Sequence, residues 1–510
     1  MVKNILEKTN KWMWPLLLLF VGVILGIQGI SNGFPDSDTF FIVKTGQYIV
    51  ENGCVPTINP FVIHEGFETI IQQWLFDILI YGIYSLGGWT GVFVYSLVIM
   101  GVSAIAMYCF FGLYSQNKKL KIALLSVYIA VGSSFFVARP TSLSFLLCLS
   151  AVAVMEVYRK KGRAAVLFWL PLISLLTINI HAAMWPMLFV LMMPFVVPDC
   201  LPNFRGPGVW RNIAGYLKSW LKKQKWVLLA MAVMAAVGFI NPNGLNGVGY
   251  LFLSYGTANG ANITELQPPP MLSYFGVFVL GAFALLVLYV YKHKRNIDMK
   301  VFCMAVGTTI LAMLHLRNLW FLSFGALPLA LIMMDEVHWE RKKKPKITVV
   351  SMIAKFYGAC LVVILAIGMC GSISLSVEDA EPSPVKAVDY LDRYDKEDIV
   401  LYTGFNNGAY MELNGYKVYM DARPELFQKK INKKADVCTE FLNVLSGNCD
   451  YPTFFDKYGF THMIVEDGSV LSGFLRAYDG YTVVVDGNGY VVYERIDMPD
   501  AVTANGGDNN

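Results

Sequence analysis

The sequence predicts a mainly α-helical protein that crosses a membrane many times and ends in a small α/β domain. Hydrophobic residues make up 55% of the 510 positions and charged residues only 15%, and the mean hydropathy is +0.49. A soluble chain of this length is far less apolar. Beyond residue 376 the composition becomes mixed. We therefore assign 1–376 to a membrane domain, 377–498 to a second domain and 499–510 to a disordered polar tail.

Apolar runs of roughly 17 to 25 residues are long enough to cross a bilayer as helices. The chain has about eleven such runs, at 12–30, 90–114, 121–138, 142–158, 164–181, 183–198, 226–241, 272–291, 299–316, 318–334 and 348–376. Three lysines precede the first run, and no small-residue cleavage site follows it. The first run is therefore expected to be a retained anchor.

Clusters of Lys and Arg occupy every second loop, which predicts that these loops are cytoplasmic. They lie at 118–121, 159–163, 205–225, 292–295 and 341–346. The N-terminus is then cytoplasmic, and the loops 31–89, 139–141 and 242–271 and the C-terminal domain are extracytoplasmic. The formal charge of +4 is small, and Lys and Arg sit in short clusters between apolar runs, which argues against nucleic acid as a partner.

The segment 74–84 is apolar, but counting it as a span would place the lysines at 118–121 outside. We interpret it as a helix lying at the outer membrane interface, with Asp77 facing polar surroundings. Gly87-Gly88 is expected to end this helix before the second span.

The C-terminal region has the pattern of a small α/β domain. The predicted elements are a helix at 385–394, strands at 399–402, 418–420, 462–465 and 481–485, and a hairpin turn at 486–489. Two cysteines in this region, Cys438 and Cys449, either form one disulfide or are simply buried.

The segment Pro35-Asp36-Ser37-Asp38-Thr39 places two carboxylates just beyond the first span. Ionisable groups beside hydrocarbon are costly and usually functional, so both are candidates for catalysis or metal binding. The alternative is that they cap a helix starting near Thr39. Arg139 and Arg317 either bind an anion or snorkel to the interface. His181 is either functional or an ordinary interface histidine, and Asn241 either binds a ligand or belongs to a turn.

Several segments together resemble a large bacterial family of the glycosyltransferase-C superfamily of membrane-embedded glycosyltransferases. They are Asp36-Ser37-Asp38-Thr39-Phe40-Phe41-Ile42-Val43-Lys44, Pro56-Thr57-Ile58-Asn59-Pro60-Phe61, Gln73-Trp74-Leu75, Asn179-Ile180-His181, Asn241-Pro242-Asn243-Gly244, Glu265-Leu266-Gln267-Pro268 and Tyr419-Met420-Asp421-Ala422-Arg423. Two departures stand out. Thr39-Phe40-Phe41-Ile42 replaces the family's Trp-Trp-His-like triplet, and His181-Ala182 replaces its His-Gly.

The resemblance implies a glycosyltransferase-C fold in a bacterial plasma membrane and transfer of a hexose or pentose, with inversion, from a polyprenyl-phosphate donor to an envelope glycan, lipid or protein. Asp36 or Asp38 would act as the base. Lys44, Arg139 and Arg317 would neutralise the phosphate. His181, Asn241, Glu265 and Gln267 complete the expected substrate-binding set. A divalent cation on Asp36 and Asp38 with Glu265 or His181 is compatible with this chemistry but not required.

Two other interpretations stay open. A non-catalytic scaffold or lipid-handling protein would keep the fold and bind a partner through its outer domain. A transporter is disfavoured because the polar residues collect at one face and not at the membrane midplane. In the outer domain, Phe405-Asn406-Asn407-Gly408-Ala409-Tyr410 and Asp421-Ala422-Arg423 either recognise a sugar or form an Asn-Gly turn and a buried Asp-Arg pair.

Overall fold

The computed structural model describes residues 2–32, 34–132, 135–198, 209–254, 267–294, 296–340, 384–487 and 489–497. These residues are mainly helical, with one four-stranded sheet near the C-terminus. The predicted fold class is therefore confirmed. The predicted span 348–376 and the predicted tail 499–510 lie outside the described residues.

The chain divides into two compact units. The first unit comprises Met1–Gly33, Val94–Asn241 and Asn259–Ile373, and the second comprises Phe34–Phe93, Pro242–Ala258 and Ser374–Asn510. The second unit thus combines most of the predicted outer loop with the predicted C-terminal domain.

Twelve helices precede residue 341 in the described part of the chain. They are α1 (Val2–Asn32), α2 (Ser37–Asn52), α3 (Trp74–Phe111), α4 (Lys118–Gly132), α5 (Pro140–Lys161), α6 (Trp169–Ile180), α7 (Trp185–Val196), α8 (Val209–Val237), α9 (Gly244–Ser254), α10 (Tyr274–His293), α11 (Met299–Leu314) and α12 (Ala326–Glu340). Helices α2 and α9 belong to the second unit.

Four helices in the described ranges are long and apolar enough to cross a membrane. They are Trp12–Asn32, Trp74–Phe111, Pro140–Lys161 and Phe275–His293. A fifth span results if the 3-10 segment Leu316–Ser323 and the following helix, bent by 41°, are counted as one. Other predicted spans coincide with shorter apolar helices such as Met299–Leu314. The number of about eleven spans stays a prediction.

Helices α1 and α4 pack closely through two glycines of α1. A Cβ atom on Gly22 would lie 2.7 Å from the backbone oxygen of Ser126, and one on Gly26 would lie 2.8 Å from the side chain of Ile129. Small residues four positions apart allow apolar helices to approach to backbone contact. The glycine spacing of the first span therefore sets the distance between these two helices.

Helix α3 is interrupted at Gly88, whose φ of 57° lies in the left-handed region that favours glycine. The break falls at the predicted Gly87-Gly88 position. Trp89 directly after it packs edge-on against Phe34 and Phe40, with ring centroids 6.2 and 5.3 Å away. The start of α2 and the break in α3 therefore share one aromatic cluster in the second unit.

The sheet of the second unit consists of β1 (Leu401–Tyr402), β2 (His462–Glu466), β3 (Tyr481–Asp486) and β4 (Tyr490–Arg495) in the order β1-β2-β4-β3. Strands β1 and β2 are parallel, and the other neighbours are antiparallel. The predicted strand at 418–420 is reduced to single bridges, in which Val418 pairs with both Leu401 and Val62. Val418 thereby connects the segment around Val62, which belongs to the predicted outer loop 31–89, to the sheet.

Six helices follow residue 384 in the described part of the chain: α13 (Val385–Leu391), α14 (Phe405–Leu413), α15 (Lys429–Asn432), α16 (Val437–Ser446), α17 (Tyr451–Tyr458) and α18 (Val470–Leu475). The segment Asn406-Asn407-Gly408 lies inside α14, so the alternative of an Asn-Gly turn is wrong. The segment is helical because its apolar residues Ala409, Tyr410 and Met411 are buried. Cys438 and Cys449 are both free thiols, so no disulfide joins them.

His64 connects the predicted outer loop 31–89, in which it lies, to the C-terminal part of the second unit. Its ring stacks on Phe67 at 4.6 Å, and its Nε2–H donates to the backbone oxygen of Tyr419 at 2.8 Å. The side chain is buried against the edges of Tyr419 and Tyr458. Burial lowers the pKa of His64 to about 4, because a second ring proton would place a charge among aromatic rings.

We expect the second unit to lose stability as the pH falls from about 6.5 towards 4. The unfolded imidazole takes up its proton near pH 6.5, whereas the folded one resists protonation down to about pH 4. The stabilisation by neutral His64 is therefore complete above pH 6.5 and is lost below it. Hydrogen exchange of residues 61–69 across this pH range measures the effect, which is on the order of 3 kcal/mol. The variant His64→Gln keeps a donor for Tyr419 and should abolish this pH dependence; an unchanged profile would contradict the assignment.

Candidate functional site

Asp36 is the N-cap of α2. Its carboxylate accepts a hydrogen bond of 2.8 Å from the backbone N–H of Thr39 and another from the Thr39 hydroxyl. Asp38 lies in the first helical turn, where the helix dipole favours a negative charge. Both side chains are partly exposed. The capping alternative therefore holds for Asp36, whereas Asp38 follows the cap.

A second group of ionisable side chains is buried in the second unit around Arg423. The guanidinium Nη2 lies 2.5 Å from Oδ2 of Asp421 and 3.3 Å from both carboxyl oxygens of Glu412. Its Nε lies 3.2 Å from both oxygens of Asp421. The backbone N–H of Arg423 also donates to Asp421 at 2.7 Å. The expected buried Asp-Arg pair is thus present, and Glu412 joins it. We call Glu412, Asp421 and Arg423 the Arg423 cluster.

Two carboxyl groups facing one guanidinium cannot both be ionised at low cost in a buried site. Burial and the neighbouring charge of Asp421 hold the pKa of Glu412 well above its usual range. Burial also acts to raise the pKa of Asp421, but Arg423 outweighs it and holds that pKa below the usual value. Of the two carboxyl groups, Glu412 is therefore the one that we expect to hold a proton, bonded to Asp421, while Asp421 and Arg423 form the ion pair.

Asp77 contradicts its sequence expectation of polar surroundings. Its side chain at the start of α3 is 0% exposed. Its carboxyl oxygens make no hydrogen bond within the part of the chain that the structure describes. The reason is the close approach of α2, where Gly46 has no side chain and its backbone packs onto that of Asp77. The charge of Arg423 acts on Asp77 from within the same unit.

Lys44 lies on α2 and is partly buried. Its ammonium group donates to the side-chain oxygen of Gln47 at 3.3 Å. Burial lowers the pKa of Lys44, and the charges of Glu51 and Glu412 oppose that shift. The predicted phosphate-binding role of Lys44 stays a prediction.

Three of the predicted cationic or imidazole groups are associated with the start of α5 in the first unit. Arg139 is the N-cap of α5, and its backbone oxygen accepts from the Ser142 hydroxyl at 2.7 Å. Ser144, in the second turn, lies 2.7 Å from Nδ1 of His181. Arg317 is exposed and interacts electrostatically with His181. Arg139 and Arg317, which are 178 positions apart in the sequence, are thus both related to the region of the first unit around the start of α5.

An apolar cleft adjoins this region. Its empty volume, including the part open to the outside, is about 260 Å³. It is lined by Tyr128, Gly132, Phe135, Phe136, Thr141, Phe145 and Trp320. Thr141 follows Arg139 by two residues, and Trp320 follows Arg317 by three. The cleft therefore lies next to the segments that carry both arginines.

The remaining predicted residues of the first unit have other surroundings. The side-chain amide of Asn241 donates to the backbone oxygen of Gly238 at 2.9 Å, which is typical of a local turn. Gln267 is exposed, and its backbone oxygen accepts from Leu316 at 2.8 Å. Glu265 lies outside the described residues. Asp36, Asp38 and Lys44 belong to one unit and Arg139, His181 and Arg317 to the other, so convergence of the carboxylates with the arginines stays a prediction.

The structure also contains an ionic group that the sequence analysis missed. At the far end of α5, Arg159 bonds to Glu156 at 2.9 Å and to Asp298 at 2.6 Å. Glu156 is only 2% exposed. Polar residues are thus not confined to one end of this helix. The sequence did contain one signal for this ion pair. Glu156 precedes Arg159 by three positions, which places both side chains on one face of the helix.

Across the described ranges, no three His, Cys, Asp or Glu side chains are grouped so as to hold a metal ion.

The fold, but not the sequence, is similar to that of proteins of known structure. No family model and no curated protein matches the chain. The solved oligosaccharyltransferase of Archaeoglobus fulgidus, tethered to an acceptor peptide with an NVT sequon, matches with a TM-score of 0.57 and 12% identity over 90% of this chain and 70% of that one.

Two further structures of the same archaeal enzyme also match. The enzyme, named AglB, in complex with an inhibitory peptide and a dolichol-phosphate gives a TM-score of 0.55 at 12% identity over 96% of this chain and 75% of that one. The apo form gives 0.51 at 12% identity over 89% and 70%. The chain thus shares its fold with this archaeal oligosaccharyltransferase.

The protonation of the Arg423 cluster can be tested by two isosteric substitutions. We expect Glu412→Gln to change stability by less than about 1 kcal/mol, because Gln can donate the hydrogen bond that protonated Glu412 donates. We expect Asp421→Asn to cost more, on the order of 3 kcal/mol, because Arg423 loses its nearest carboxylate and then depends for counter-charge on Glu412, 3.3 Å away, whose ionisation burial opposes. Thermal unfolding of the full chain in detergent micelles measures both. Equal destabilisation by the two substitutions would contradict the assignment of the proton to Glu412.

Proposed function

We propose that this protein is a membrane-embedded glycosyltransferase. It transfers a sugar from a polyprenyl-phosphate donor to an acceptor of the bacterial cell envelope on the extracytoplasmic face of the plasma membrane. The observation that carries the proposal is the fold shared with archaeal oligosaccharyltransferase, one structure of which contains a dolichol-phosphate. The placement of an Asp-x-Asp pair directly after the first span supports it further.

In the proposed reaction an acceptor oxygen attacks the anomeric carbon of the donor sugar. The bond from that carbon to the phosphate oxygen breaks, and its electron pair leaves with the polyprenyl phosphate. The acceptor proton passes to a carboxylate, for which Asp38 is the better candidate because the Asp36 carboxylate already caps α2. A single displacement of this kind inverts the anomeric configuration.

The departing phosphate needs positive charge, and the start of α5 supplies a suitable set of groups. Arg139 occupies the N-cap position of the helix, and Arg317 acts electrostatically on His181, which bonds to Ser144 of α5. Arginine presents a planar fork that matches two phosphate oxygens, and a helix N-terminus itself attracts anions.

One observation favours the alternative of a non-catalytic scaffold or lipid-handling protein. Asp36 is engaged in capping, and the residues after Asp38 are Thr39, Phe40 and Phe41, all buried. A chain without transfer activity would keep Asp36 for this structural purpose alone.

We expect Asp38→Asn to reduce sugar transfer by on the order of 100-fold to 10,000-fold, the range typical of a lost general base. The assay uses the full chain in lipid nanodiscs, with undecaprenyl-phosphate hexoses and pentoses labelled in the sugar and envelope material from a strain lacking the protein as acceptor. Asp36→Ser keeps a side chain that can cap α2 but removes the carboxylate. It therefore shows whether the carboxylate of Asp36 contributes to sugar transfer apart from its capping role.

Asp450→Ser provides the matched control. Asp450 caps α17 and accepts from the N–H and hydroxyl of Thr453, as Asp36 does from Thr39, and its replacement should leave transfer unchanged. Wild-type transfer by Asp38→Asn would rule out Asp38 as the base. If the wild-type chain transfers no sugar and a deletion strain has normal envelope glycans, the scaffold alternative is favoured.

A further inference from the structure

We propose that Arg423 is a positioning residue for the proposed reaction: through Phe41 it fixes the first turns of α2 and thereby the carboxylate of Asp38. The role in activity rests on the proposed function, whereas the mechanical coupling does not. The proposal concerns a residue that is 385 positions from Asp38 in the sequence but lies in the same compact unit.

Arg423 is held rigidly by its neighbours. Its side chain is largely buried, and its Nε and Nη2 groups bond to Asp421 and Glu412. The backbone N–H of the same residue bonds to Asp421 as well. Because these donors lie along the edge of the guanidinium plane, its flat face remains for another contact.

That face covers the ring of Phe41, with the guanidinium carbon 4.8 Å from the ring centroid. A cation over an aromatic face is attracted by the ring quadrupole, most strongly where water is excluded. Phe41 is buried, so this contact is of the desolvated kind. The preceding residue, Phe40, packs edge-on against Tyr410 of α14 at 5.1 Å.

Asp38 precedes Phe41 by three residues, which is nearly one helical turn, so the two side chains lie on neighbouring parts of one helix face. On another side of α2, Gly46 lies against the backbone of Asp77 in α3. Helix α2 is therefore fixed at Phe41 and at Gly46. A change at Phe41 acts on the turn that carries Asp38.

Burial of an ion pair seldom adds net stability, so packing alone does not explain why a guanidinium, and not an apolar side chain, lies over Phe41. A positioning role explains it. Displacement of a catalytic group by about 1 Å can cost on the order of 100-fold in rate. A planar group fixed by two carboxyls restricts such displacement better than a flexible alkyl chain.

The test uses the full chain in nanodiscs and a series at Phe41 that leaves the Arg423 cluster intact. We expect Phe41→Leu, which removes the aromatic face, to speed hydrogen exchange of residues 37–46 about tenfold, equivalent to about 1.4 kcal/mol. Exchange in β2 and β4 should stay as in the wild type. Phe41→Tyr, which keeps the aromatic face, should restore slow exchange. Arg423→Lys, which keeps the charge but not the planar fork, should resemble Phe41→Leu.

Arg393 provides a matched control because its guanidinium also covers a ring, that of Tyr390 at 4.9 Å, but on the exposed surface of the second unit. Arg393→Ala should change neither exchange in α2 nor sugar transfer. In the transfer assay, Phe41→Leu should lower kcat by on the order of 100-fold with little change in KM for the undecaprenyl-phosphate sugar, and Phe41→Tyr should recover kcat.

Wild-type exchange of α2 in Phe41→Leu, or faster exchange throughout the second unit, would overturn the proposal. So would faster exchange in α2 with an unchanged kcat. If the wild-type chain transfers no sugar, the proposed function fails and the role in catalysis with it. The exchange data still report separately whether Arg423 fixes α2.

Discussion

The buried ion pair of Arg423 and Asp421 is the constraint on which the second unit depends. Its groups come from one short segment, yet its surroundings come from three others: Glu412 from α14, Phe41 from α2 and Asp77 from α3. Removing one partner of such a pair leaves a buried, uncompensated charge, which is far costlier than the net gain from forming the pair. The arrangement therefore selects one packing of the four segments more than it adds stability.

The buried carboxyl groups around Arg423 outnumber the buried guanidinium groups. Glu412, Asp421 and Asp77 are three buried carboxyl groups, and only one guanidinium is buried with them in the described part of the unit. Protonation of Glu412, towards which its raised pKa points, would leave the cluster with one ion pair and one neutral hydrogen bond. Half-buried Lys44 adds positive charge near Glu412. Which of these groups are charged thus depends on their burial, and the spacing of the residues in the sequence does not reveal it.

The sequence was sufficient for those features that depend on local pattern. Apolar runs predicted the helical membrane fold, Gly87-Gly88 predicted the break in α3, and Asp421-Ala422-Arg423 suggested a buried pair because its members are two residues apart. Partners that are distant in the chain could not be found this way. Nothing near Asp77 indicates that Gly46 allows α2 to cover it, and nothing near Phe41 indicates Arg423. The helix at 405–413 was missed because Asn-Asn-Gly is typical of turns, and burial of its apolar side overrides that preference.

The two sets of candidate groups differ in their relation to helix ends, and this difference bears on the proposed chemistry. Asp36 and Asp38 lie at the start of α2, where the helix dipole stabilises negative charge. Arg139 lies at the start of α5, where the dipole has the same sign as the side chain and disfavours it. The dipole therefore gives no reason to place a cation there. An anion would reverse the balance, because the helix end, Arg139 and Arg317 would all attract it. Under the proposed function a donor phosphate would supply that anion, and the substrate-binding role of Arg139 stays a prediction.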